Sequence, residues 1–220
     1  MSGATHEVPV MIAGDAIGHV GGGARTWRYR LWRHLRAHDV RLDLVGSDDP
    51  LDDIRAEVAE HRPDYLLVLL GVDELRRPAI DPGRFEADLR ASIADARRAN
   101  PNLRIVLGHV LPTHHAGPDP EFAARAAGYN TRIDAIAADL DTADSPIVVA
   151  GTDAEFDAGD HTADGLHPNP AGEVRIAAAF ADALADRFHL GAHYPRPFPR
   201  AAGGATGPRP HRDRADHDPE

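Results

Sequence analysis

With 35 acidic side chains against 24 basic ones, the 220-residue chain carries a formal net charge of -11, which repels phosphate backbones and anionic lipid and sets nucleic acid and membrane surfaces aside as partners. Cysteine is absent and every basic residue is arginine, so disulfides, thiolate nucleophiles and lysine Schiff bases are excluded. No apolar run approaches the roughly 20 residues that cross a bilayer, and the first, Val8 to Ala13, follows no basic segment, so no export signal is expected and the cytoplasm is the expected location.

Taken in order, strand-like runs at Val8 to Gly14, Arg41 to Val45, Tyr65 to Gly71, Leu103 to Leu111 and Pro146 to Ala150 alternate with amphipathic segments. "YLLVLLG" and "PIVVAG" are almost continuously apolar, the pattern of strands buried on both faces. Between the strands, "TWRYRLWRHLRAH", "DDIRAEVAEHR", "PGRFEADLRASIADARRAN" and "EFAARAAGYNTRIDAIAADL" place apolar residues at helical spacing. Trp27 and Trp32, on the first of these, read as core. A last helix opens at "HPNPAGEVRIAAAFADALADRF", with Asn169 as its cap and Pro170 at its first position.

Five strands joined by right-handed crossovers predict an α/β domain over residues 1–190, a three-layer α/β/α sandwich on a five-stranded parallel sheet with flavodoxin-like strand order. Residues 191–220, rich in Pro, Gly and charge, read as a disordered tail. Such sheets bind ligands at the carboxyl ends of their strands. Those ends are Gly14-Asp15, Gly46, Gly71 to Glu74, the loop after Leu111 and the segment after Gly151.

Three blocks at those ends, "MIAGDAIGH", "LLGVDEL" and "DGLHPNPAGEVRIA", resemble the SGNH, or GDSL-type, hydrolase family. Asp164 and His167 fall at that family's three-residue offset, followed by Pro168 and a helix. The resemblance implies acyl-ester hydrolysis, in which a serine attacks a carbonyl, a histidine takes its proton, an aspartate orients the imidazole and an oxyanion hole holds the developing charge. It implies His167 as base and Asp164 as its orienting partner. Gly14 and Asp15 match the start of the first block, His19 a position often occupied by histidine, and Gly46 is the candidate for the second block's glycine.

Two positions depart from the pattern. Ala16 stands where the nucleophilic serine belongs, and the family's Gly-x-Asn-Asp reads Gly71-Val72-Asp73-Glu74, which puts a carboxylate where an oxyanion donor belongs. The segment around Gly46 is also short for the family. Of the other serines, Ser2 is terminal, Ser92 mid-helix and Ser145 at the amino end of a strand, leaving Ser47 at the correct edge. Asp15 reads equally as a turn residue satisfying backbone N–H groups and as a site residue. Asp73 and Glu74 read either as a solvated loop or as an acid-base cluster with Asp15 and His167.

The acid- and histidine-rich "DAGDHTADGLH" fits no metal-ligand spacing, and the glycines Gly21 to Gly23 lack the Gly-Lys-Ser/Thr of a phosphate loop; neither a metal nor another cofactor is called for. "THH" at Thr113 to His115 reads as a solvated loop with the pocket lining as the alternative. The expectation is an ester-hydrolase relative without serine catalysis that binds a small molecule or acyl ester in the old cleft. The alternative is an active enzyme using Asp164, His167 and the carboxylates for water activation or acid-base chemistry. A serine-to-alanine replacement made to trap a substrate would explain Ala16 but not Asp73.

Overall fold

Val10, Met11, Ile12 and Ala13 are all buried, as is every residue of Tyr65–Leu69. Strands buried on both sides need a helical layer on each, and that is the architecture of the computed structural model, which describes residues 7–14, 26–47, 50–70, 82–113 and 120–199.

The elements follow one another as β1 (Val8–Gly14), α1 (Trp27–Ala37), β2 (Leu42–Val45), α2 (Ile54–His61), β3 (Tyr65–Leu69), α3 (Pro82–Ala99), β4 (Arg104–Gly108), α4 (Pro120–Leu140), β5 (Ile147–Ala150), α5 (Ala158–His161) and α6 (Pro170–Phe188). The sheet order is β2-β1-β3-β4-β5 with parallel pairing throughout. This is the flavodoxin-like order expected from the sequence. Helices α1 and α6 pack together, while α2, α3 and α4 pack in series.

Side chains set the helix ends. Asp53 accepts the N–H of Ala56 at 3.1 Å to open α2, and Asn169 accepts those of Ala171 and Gly172 to open α6 with Pro170 behind it. Arg62 and His189 close α2 and α6 in the left-handed region. Trp27, 1% exposed, stacks on Phe180 at 4.8 Å and fixes α1 to α6.

Strand β4 ends at Gly108, short of the expected Leu111. The reason is Asn130 of α4, whose side-chain amide accepts the N–H of Val110 at 2.7 Å and donates to its carbonyl at 3.2 Å, replacing the ladder that a longer strand would need. Strand β3 stops at Leu69 rather than Gly71, and β2 and β5 each begin one residue later than expected.

The chain stays packed beyond residue 190, where the sequence reads as tail. Tyr194 is buried against the His34 ring, its N–H donates to Asp182 at 2.7 Å, and Arg196 pairs with Asp182 and Glu155. Two aromatic rings, Tyr194 and Phe198, supply the apolar area that the composition of this stretch understated. Residues 200–220 lie outside the described part.

Candidate active site

Gly14 pairs with Leu69, so β1 and β3 are neighbours and end at the same edge of the sheet. Gly46, at the end of β2 beside β1, has φ +100, a conformation that suits glycine. Its exposed neighbour Ser47 gives its backbone N–H to Glu57 at 2.8 Å. Asp15, Ala16, His19, Gly71, Asp73 and Glu74 lie outside the described residues, as do Gly21 to Gly23, His114 and His115.

The last block folds into a closed platform. Ala163 N–H donates to the His167 carbonyl at 2.8 Å, Thr162 bridges Pro168, and Asn169 Nδ2 donates to the carbonyls of Asp160 and Thr162. Thr162 Oγ1 donates to Ala158 and accepts the N–H of Gly165, which turns at φ +86. Leu166, 3% exposed, anchors the platform in the core. His161 is buried beneath it, accepting the Asp157 N–H on Nδ1, and burial with the nearby Arg175 charge lowers its pKa.

On this platform Asp164 and His167 meet. Asp164 Oδ1 accepts the N–H groups of Leu166 at 3.0 Å and His167 at 2.7 Å, while Oδ2 lies 2.7 Å from His167 Nδ1. The hydrogen bond from the His167 ring, followed by the two backbone donors, holds the Asp164 carboxyl well below the usual carboxylate range. An ionised carboxylate only accepts, so Nδ1 carries the proton and Nε2 of the neutral ring is left with its lone pair. Nε2 makes no hydrogen bond with the described residues. Side-chain exposures of 39% for His167 and 50% for Asp164 keep the pair within reach of solvent and a ligand.

A second histidine cluster, absent from the sequence reading, stands where β4 and β5 end. His109 Nδ1 lies 2.8 Å from Asp153 Oδ1 and Nε2 lies 3.0 Å from Asp134 Oδ1. Asp153 also accepts from Asn130 Nδ2 at 3.0 Å. Burial opposes charge on His109, but the two carboxylates outweigh it and raise its pKa; burial likewise opposes charge on Asp153, and His109 outweighs it and lowers that pKa. With a carboxylate facing each ring nitrogen, His109 favours the imidazolium form, in which neither nitrogen keeps a lone pair. The rule that finds ligand sites at strand ends also points to His109 and Asp153, but a strand drawn to Leu111 hides the first.

The two other serines among the described residues have structural partners. Ser92 Oγ donates to the Asp88 carbonyl at 3.0 Å, and Ser145 Oγ, in a residue 2% exposed, donates to the Leu103 carbonyl and accepts from Arg97. No helix among the described residues is long and apolar enough to cross a membrane.

Residues 12–175 match the GDSL-like lipase/acylhydrolase family model. Among solved structures, a family 3 carbohydrate esterase from Clostridium thermocellum is similar at 21% identity and TM-score 0.69, over 84% of this chain and 100% of that one. One from Talaromyces cellulolyticus gives 23% and 0.69, over 79% and 94%. A serine-to-alanine mutant of an acetyl esterase with acetate ion gives 24% and 0.68, again over 79% and 94%. These likenesses establish the fold, and comparison with curated proteins gives no match. The family match spans the first strand through the platform of His167, and the chain belongs to the GDSL-like lipase/acylhydrolase family.

Proposed function

We propose that this chain is an acylhydrolase-fold protein that has lost serine-nucleophile catalysis and binds a small molecule, an acyl ester or its product, in the cleft at the carboxyl ends of its strands. The observation that carries the reading is a preformed His167-Asp164 pair in a chain with Ala16 at the nucleophile's position. Alanine has no hydroxyl, so a covalent acyl-enzyme cannot form there. Asp73 in place of an amide donor adds to the loss, because a carboxylate does not stabilise an oxyanion. In this reading Gly14, Ala16, His19, Gly46, Gly71 and Glu74 surround the ligand, and Asp15, Asp73, Asp164 and His167 provide its polar contacts. The carbohydrate and acetyl esterases among the similar folds make acetylated sugars the first ligands to try.

A second reading is favoured by the intact pair itself. Nε2 of a neutral His167, oriented through Nδ1, is able to deprotonate water. The hydroxyl that Ala16 lacks would leave room for that water, and Asp15, Asp73 and Glu74 would be available for acid-base chemistry on a small metabolite. Hydrolysis of a short aryl ester by the chain as it stands, by His167→Ala, by Ala16→Ser and by Ala16→Ser/His167→Ala decides between them. The first reading expects an inert chain, a gain with Ala16→Ser and loss of that gain with His167→Ala. Turnover by the unsubstituted chain that disappears with His167→Ala would overturn it in favour of the second.

A further inference from the structure

Glu173 lies on the first turn of α6, and its carboxylate accepts the backbone N–H of Trp27, the residue that opens α1. One contact therefore joins the helix that follows the Ala16 segment to the helix that follows the His167 platform. Its surroundings are tightly packed. The Trp27 ring is stacked on Phe180, and its buried indole Nε1–H finds no acceptor among the described residues. Gly172, beside Glu173, sits so close to α5 that a Cβ there would fall 2.1 Å from the His161 carbonyl oxygen. The start of α6 is thus seated closely against α5, with no room for a side chain between them.

We propose that Glu173 is a positioning residue, a proton-dependent joint that sets the start of α1 against the helix that follows the His167-Asp164 platform. Both partners favour an ionised carboxylate, since the amino end of a helix attracts negative charge. Burial opposes it more strongly, and the Glu173 carboxyl is raised from its ordinary 4.5 to about 7, with the Trp27 N–H and the Arg30 charge pulling the other way. Among the described residues Arg30 of α1 is the charged group whose field reaches the carboxylate, whereas His161 of α5 and Arg175 of α6 act on each other. Protonation gives up the attraction to Arg30 and part of the bond to Trp27 but removes the larger cost of a buried charge, so the packed joint is favoured on the acid side and loosens as pH rises through about 7. Its bearing on the site rests on the function proposed above; the joint itself does not.

Only two tryptophans are present, so Trp32→Phe in the full chain leaves Trp27 as the single indole reporter. Its emission, followed from about pH 5 to about pH 9, is expected to show one transition near 7 that Glu173→Gln abolishes. In the unsubstituted chain the Trp27 amide resonance is expected to titrate with the same midpoint, which decides the matter even if Glu173→Gln does not fold. No transition at the Trp27 amide, or an indole transition unchanged in Glu173→Gln, overturns the joint. Ester turnover by Ala16→Ser then shows the same pH transition, removed by Glu173→Gln. If Ala16→Ser is inert, the functional proposal fails while the Trp27 titration still decides the joint.

Discussion

His167 meets one carboxylate, three residues away in sequence, at a turn that leaves the imidazole side chain 39% exposed. His109 meets two, drawn from α4 and from the turn after β5, and its side chain is 15% exposed. Both pairs begin as an imidazole beside an aspartate. In the first, one nitrogen is fixed and the other is left open; in the second, a carboxylate holds each nitrogen and the pair of them favours the charged ring. A histidine beside an acid is therefore not by itself a base. The number of acids and the depth of burial decide whether it is one, and here they separate a candidate base from a clamp between α4, β4 and β5.

The widest separation between the two is expected in activity. In the Ala16→Ser background, His167→Ala is expected to reduce ester turnover by about 10³-fold or more, the order seen when a triad member is removed, while His109→Gln leaves it within about tenfold; steady-state rates on a short aryl ester check both. In stability the order reverses. Removing His109 leaves Asp153 half-buried without its ring partner, and His109→Ala is expected to cost about 2–3 kcal/mol in urea unfolding. Gly172→Ala tests the platform, since a methyl group 2.1 Å from the His161 carbonyl oxygen forces α6 off α5. About 1–3 kcal/mol is expected in the same assay.

The pH dependence of the clamp has a definite sign. His109 has a folded pKa raised above 6.5, so its contribution is fully present below the unfolded value and is lost as pH rises through the folded one. The stability difference between the unsubstituted chain and His109→Gln should accordingly shrink from about pH 6 towards alkaline pH, measured by urea midpoints at each pH. Acid reverses the clamp by a different route. Asp153 has a lowered folded pKa, and its contribution is lost as pH falls from 3.8 through that value. The smallest effect is expected from His167→Ala on the otherwise unsubstituted chain, within about 0.5 kcal/mol, because a half-exposed hydrogen-bonded pair at the surface contributes little.

The sheet was legible because its strands are buried on both faces and their apolar runs leave little choice of partner. Asp164 and His167 could be read as a pair from their resemblance to a family offset that is local, and three residues of chain indeed carry the hydrogen bonds between them. His109 was not, because its partners lie 25 and 44 residues away, and because Asn130 ends β4 by a contact made only in the fold. Glu173 was hidden for a related reason: a glutamate on the first turn of a helix reads as an ordinary dipole partner, and nothing local shows that Trp27 arrives from 146 residues away. The segment 191–199 was misread because composition weighs its prolines and glycines but not where Tyr194 and Phe198 land.

The most direct test of the separation between base and clamp is the initial rate of aryl acetate hydrolysis by three proteins side by side, Ala16→Ser, Ala16→Ser/His167→Gln and Ala16→Ser/His109→Gln, each shown to be folded by circular dichroism. The account predicts activity in the first and third and its loss in the second. Activity that survives His167→Gln, or that falls as far with His109→Gln, would contradict it.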